Sequence, residues 1–120
     1  MILIVDDEIF ALDMLVRKLS GSVLEYETCS SVSEAKQIIS TQPNIKIVVT
    51  DLHMSGETGY DLLDWLTALY PKIKRVVMSA HTHEDIFTEH PNLQVDGRLK
   101  KPVDVKTELI PLLIELMKED

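Results

Sequence analysis

Four sets of residues in this 120-residue chain carry groups that could act together: the adjacent carboxylates Asp6 and Asp7, the carboxylate of Asp51, the hydroxyl of Ser79 and the amine of Lys101. Each lies at the end of a short apolar run. Ile2 to Val5 leads into Asp6-Asp7, Ile45 to Val49 into Asp51, Arg75 to Met78 into Ser79, and Gly97 to Leu99 into Lys100-Lys101-Pro102. Three carboxylates within about 5 Å repel by roughly 1 kcal/mol per pair even in water. A fold that gathers them therefore calls for a cation. Hard oxygen ligands on loops suit Mg2+, or Mn2+, better than zinc. A nearby lysine adds a point charge suited to phosphate oxygens. A carboxylate nucleophile, a divalent ion, a lysine and a hydroxyl together describe phosphoryl transfer to aspartate.

Taken singly, each residue has a plainer role. An Asp-Asp pair after a strand often caps the next helix. Asp51 could be a turn acid, Ser79 a cap, and Lys101 a solvated lysine. The joint pattern selects the chemistry, because ligands bind at the carboxyl ends of the strands in an open parallel sheet.

The apolar runs are rich in β-branched residues, and the first and the Arg75–Met78 run lack clean alternation, as in strands buried on both faces. Val23 to Cys29 alternates loosely and reads as an edge strand. Between the runs lie helical patterns. Ile9, Leu12, Leu15 or Val16, and Leu19 recur before Gly21. Ser31-Val32-Ser33-Glu34 has the form of a capping box and opens a helix with Ala35, Ile38 and Ile39 inward, ended before Pro43. Tyr60 to Tyr70 carries Leu62, Leu63, Leu66 and Leu69, and Pro71 stops it. A last helix runs from near Asp104 to about Lys118, and Pro111 inside it predicts a kink or a later start. Strands and helices alternate, which implies an α/β sandwich around a parallel sheet, one domain over residues 1–120.

Asp and Glu outnumber Lys and Arg by 20 to 12, a formal charge of −8. Such a surface repels phosphate backbones and anionic lipid, which argues against direct nucleic-acid or membrane binding. The single Cys29 rules out an internal disulfide and fits a reducing compartment. The opening apolar run is too short for a signal peptide or a membrane span. The chain reads as soluble and cytoplasmic.

These residues resemble the receiver domain of bacterial two-component response regulators. The matching stretches are Ile2 to Glu8, Val48 to Met54, Gly59 to Leu63, Val76 to Ala80 and Lys101-Pro102, in order and at the right separations. The resemblance implies a flavodoxin-like (βα)5 three-layer sandwich whose five strands run in the order 2-1-3-4-5. It also implies that Asp51 accepts a phosphoryl group from a phosphohistidine on a sensor histidine kinase or a phosphotransfer protein. Asp7 would bind Mg2+ directly, Asp6 directly or through water, and Asp51 and the backbone carbonyl of His53 would complete the protein ligands. Lys101 would pair with Asp51 and then with a phosphoryl oxygen, across a cis Lys101-Pro102 peptide. Ser79 would swing in to bond the phosphoryl group, the bistable element of a switch in protein contacts. The state expected is a monomer or weak dimer, with no output domain within these residues.

Several positions depart from the family pattern. Arg98 follows Gly97 where the family usually places an aromatic ring, and is expected at the surface or paired with an acid. His90-Pro91-Asn92 interrupts the segment after Ser79, which predicts a short helix ending near His90. Ser55 stands where proline is common and Thr58 where aspartate is. His81-Thr82-His83 invites a zinc reading, but without cysteines or a regular ligand spacing these are loop histidines. A small phosphohydrolase with an aspartyl-phosphate intermediate is the alternative from another class. It calls for Asp-x-Asp after the first strand, whereas Asp6 and Asp7 are adjacent. A flavodoxin-type cofactor binder would need a phosphate-cradling loop that this chain lacks after its first strand.

Overall fold

The computed structural model describes residues 1–54, 56–80, 90 and 93–118. Five parallel strands form one sheet: β1 (Ile2–Val5), β2 (Tyr26–Cys29), β3 (Ile47–Asp51), β4 (Lys74–Ser79) and β5 (Gly97–Lys100). Their order is β2-β1-β3-β4-β5. Helices α1 (Ile9–Leu19), α2 (Val32–Thr41), α3 (Gly59–Leu69) and α4 (Ile110–Lys118) cover the faces. Every residue of β1 and β3 is buried, which is why those runs are continuously apolar rather than alternating.

Successive side chains of a strand point to opposite faces, so the sheet builds two cores. Leu3, Val5, Val48 and Val77 pack with Ala35, Ile39, Leu62, Leu63 and Leu66 of α2 and α3. Ile2, Ile4, Ile47, Val49, Val76 and Met78 pack with Leu12, Leu15 and Leu19 of α1 and with Leu113 and Leu116 of α4. Both cores clamp the central strands, which carry most of the chemistry at their ends.

The structure refines several expectations. The edge strand starts at Tyr26 rather than Val23, because β1 offers only Ile2 to Val5 as partners; Val23 is 89% exposed. The third strand runs to Asp51 itself, so the acid belongs to the strand and not to the turn after it. Leu69 and Ile9 have helical spacing but lie mostly exposed, at 61% and 59%. Each stands at an end of its helix.

Ser31 caps α2, accepting from the Glu34 N–H at 3.1 Å. The Glu34 carboxylate accepts from the hydroxyls of Ser30 and Ser31. The reciprocal box forms instead at α3, between Thr58 and Asp61.

Pro111 does delay the last helix. Asp104 caps a π-helical turn over Val105–Leu109, and regular α-helix begins at Ile110. A proline needs no hydrogen bond in the first turn of a helix, so the wider turn leaves it at a tolerated position. Arg98 is exposed on β5, as expected. The short helix after β4 and the histidines His81 and His83 lie outside the described residues.

Candidate functional site

Strand register assembles the site. Val5 pairs with Thr50, so the next residues, Asp6 and Asp51, stand side by side. Asp51 pairs with Met78 and Ser79 with Lys100. Ser79 and Lys101 therefore emerge at the same carboxyl rim, where the Lys101 N–H donates to the Ser79 carbonyl at 2.8 Å.

The Lys101 ammonium bridges the two acids. Nζ donates to Asp6 Oδ2 at 2.9 Å and to Asp51 Oδ2 at 2.8 Å. The other oxygens are used in the same way on both strands: Asp6 Oδ1 accepts from the Glu8 N–H at 3.0 Å, and Asp51 Oδ1 from the His53 N–H at 3.2 Å. Each acid thus ties down its own loop with one oxygen and meets the lysine with the other. At Asp6 the local contact holds the loop before α1, whose first turn has no side-chain cap.

Asp6 is fully buried and Asp51 is 9% exposed. That burial makes the lysine necessary, since unpaired charges at such positions are costly. Burial alone would lower the Lys101 pKa, but the hydrogen bonds and negative charges of Asp51 and Asp6 outweigh it and hold the amine above its ordinary 10.5.

Asp7 is half-buried beside Asp6, and Ser79 is 1% exposed at the end of the next strand. The Lys101-Pro102 peptide is cis. The side chain of His53 is exposed and meets the Tyr60 ring edge-on, with centroids 5.7 Å apart.

The donor set suits a hard divalent ion, because two anionic carboxylates share a single ammonium and Asp7 adds a third oxygen donor next in the chain. Among the described residues, no three acidic, histidine or cysteine side chains already converge as a cage. Lys101 brings Asp6 and Asp51 together at the rim, with Asp7 next to Asp6 in the chain.

Two residues carry structural weight that the sequence did not reveal. Arg75 in β4 is 5% exposed; its guanidinium donates to the Thr67 hydroxyl and to the Ile73 carbonyl, so it ties α3 to the sheet. Burial lowers its pKa, and the charge of Asp96 opposes that. Gly59, at the head of α3, lies against the main chain of Asp51 and Leu52. A buried arginine in a strand carries no advance signal, and the need for a bare glycine at a helix start shows only once the neighbouring strand is in place.

A five-stranded sheet of this order, with acids and a lysine gathered at its carboxyl rim, defines a receiver. The chain belongs to the response regulator receiver domain family, matching it over residues 2–112. It is a phosphorelay signalling domain rather than a conventional enzyme. Its sequence is 36% identical over 87 residues to the hydrogenase transcriptional regulatory protein HoxA of Cupriavidus necator, covering 72% of this chain and 18% of that protein. The chain therefore spans about a fifth of the length of that relative.

Among solved structures, a response regulator receiver protein from Pseudomonas putida superposes with a TM-score of 0.80 at 27% identity, covering 99% of this chain and 95% of that one. The response regulator TrrA of Thermotoga maritima, solved with Mg2+ and beryllofluoride, gives a TM-score of 0.83 at 23% identity, with 96% of each chain covered. The family typically uses Mg2+ for phosphoryl transfer. No helix among the described residues is long and apolar enough to cross a membrane.

Proposed function

We propose that Asp51 is the phosphoacceptor of this receiver, and that the observation carrying this assignment is the Lys101 ammonium held between Asp6 and Asp51 at 2.9 and 2.8 Å. The donor is a phosphohistidine on a sensor histidine kinase or phosphotransfer protein. An Asp51 carboxylate oxygen bonds to phosphorus as the P–N bond breaks, and the imidazole leaves with the electron pair and takes a proton from solvent.

Asp51 is aimed by the His53 N–H on one oxygen and by Lys101 on the other. As charge moves onto the phosphoryl oxygens, Lys101 exchanges an Asp51 oxygen for one of them and stabilises it electrostatically. Ser79, buried at the end of the neighbouring strand, supplies the hydroxyl that hydrogen-bonds the phosphoryl group and so registers its presence. Asp6, Asp7, Asp51 and the His53 carbonyl would hold the metal. When bound, Mg2+ (or Mn2+) neutralises phosphoryl charge; the Mg2+ and beryllofluoride complex of TrrA supports this choice.

The whole of residues 1–120 acts as one receiver domain in the cytoplasm, as a monomer or weak dimer that signals through protein contacts. Acetyl phosphate with Mg2+ tests the assignment. The wild type should gain one acid-stable, base-labile phosphoryl group and Asp51→Asn none at that site. Equal labelling of the two proteins would remove Asp51 from its role.

A further inference from the structure

We infer that Gly59 is a positioning residue for phosphoryl acceptance: the lack of a side chain there lets the head of α3 close onto the main chain that carries Asp51. The inference rests on Asp51 being the acceptor.

A Cβ placed on Gly59 would lie 2.1 Å from the Asp51 carbonyl oxygen, 2.8 Å from Leu52 Cα and 3.0 Å from the Asp51 carbonyl carbon. All three are backbone atoms, so no side chain can rotate away to make room. The glycine N–H meanwhile donates to the Leu52 carbonyl at 3.0 Å, and the Asp51 carbonyl oxygen is already engaged by the buried Thr50 hydroxyl at 2.8 Å.

Neither partner can yield freely. The start of α3 is held by Thr58 and Asp61, each bonding the backbone N–H of the other. Its inner face is locked by Leu62, Leu63 and Leu66, all 1% exposed or less. On the other side, β3 lies between β1 and β4 in the middle of the sheet. Relieving the contact calls for a displacement of about 1 Å, and a misplacement of that size at a reacting group costs about 100-fold in rate. The displaced atoms belong to the acceptor residue. Its hold on the His53 N–H and on Lys101 shifts with them.

The protein offers its own control. A Cβ on Gly97 would also be crowded, at 2.7 Å from an atom, but that atom is the Cδ2 end of Leu112, which can rotate aside. Gly97→Ala is thus the same chemical change at a crowded, half-buried position away from Asp51.

The test compares wild type, Gly59→Ala, Gly97→Ala and Asp51→Asn, in sucrose to favour the compact state. Each is labelled with saturating acetyl phosphate and Mg2+, and rate constant and final amplitude are read separately. Loss of folded protein lowers amplitude; misplacement of the acceptor lowers the rate constant of the folded fraction. The expected result is a rate constant about 100-fold lower for Gly59→Ala, with Gly97→Ala near wild type.

A Gly59→Ala rate constant equal to that of Gly97→Ala overturns the inference. So does a Gly59→Ala protein that cannot fold in sucrose while Gly97→Ala does, since Gly59 would then serve the fold and not the site. Labelling of Asp51→Asn at the wild-type rate would instead sink the acceptor assignment itself.

Discussion

Asp6 and Asp51 carry one device on neighbouring strands, an oxygen for the local loop and an oxygen for Lys101, so the lysine is the group whose loss both would feel. Lys101→Met leaves a fully buried and a nearly buried carboxylate without their shared donor. Urea unfolding in metal-free buffer should show a loss of about 1–3 kcal/mol; an unchanged midpoint would mean the bridge contributes nothing to stability. The pH dependence has a definite sign. Because folding raises the Lys101 pKa, its contribution is fully present below the ordinary lysine value of 10.5 and is lost as pH rises through the higher folded-state value. The advantage of wild type over Lys101→Met should therefore shrink only in strongly alkaline buffer, and a gap that closes nearer neutrality would contradict the pairing. Cys29 is a second residue-scale case. Burial, with the negative charge of Glu34, pushes its thiol up to about 12, against the opposing Ser31 backbone contact. A thiol reagent at about pH 8 should label it only after unfolding.

At the scale of elements, α3 is the piece whose placement the site most needs. Thr58 accepts from the Asp61 N–H at 3.3 Å, and the Asp61 carboxylate accepts from the Thr58 N–H at 2.8 Å. Thr58→Ala should cost about 1 kcal/mol in a denaturant titration, and a neutral result would show that packing alone starts the helix. The Thr58 backbone N–H, then its hydroxyl, holds the Asp61 carboxyl below its ordinary 3.8. Its part of the cap is thus present above that value and lost as pH falls through the folded-state value. Helix α1 presents the opposite case. Phe10, at 87% exposed, projects from it alongside Ile9 and Met14. Phe10→Ser should leave the unfolding midpoint within about 0.5 kcal/mol of wild type, and a larger loss would show that the ring is buried in solution.

For the whole molecule, alternation of apolar runs with helical patterns made the sandwich legible, because strands buried on both faces must read as unbroken β-branched stretches. The order of the strands was not legible from periodicity. It came from resemblance, since side-chain pattern records which faces are buried and not which strand lies next to which. The buried Arg75 was read only as part of a strand, because its side-chain partner Thr67 becomes a neighbour only when α3 folds back on the sheet.

The chain's own order of residues determined that acids, a hydroxyl and a lysine would stand at strand ends, because a local pattern of polarity and propensity is enough to mark where strands stop. Only the tertiary structure decided that Asp6 and Asp51 share one ammonium and that Gly59 must be bare. Those facts depend on distances between separate elements, which parallel pairing and helix packing set and no local pattern encodes.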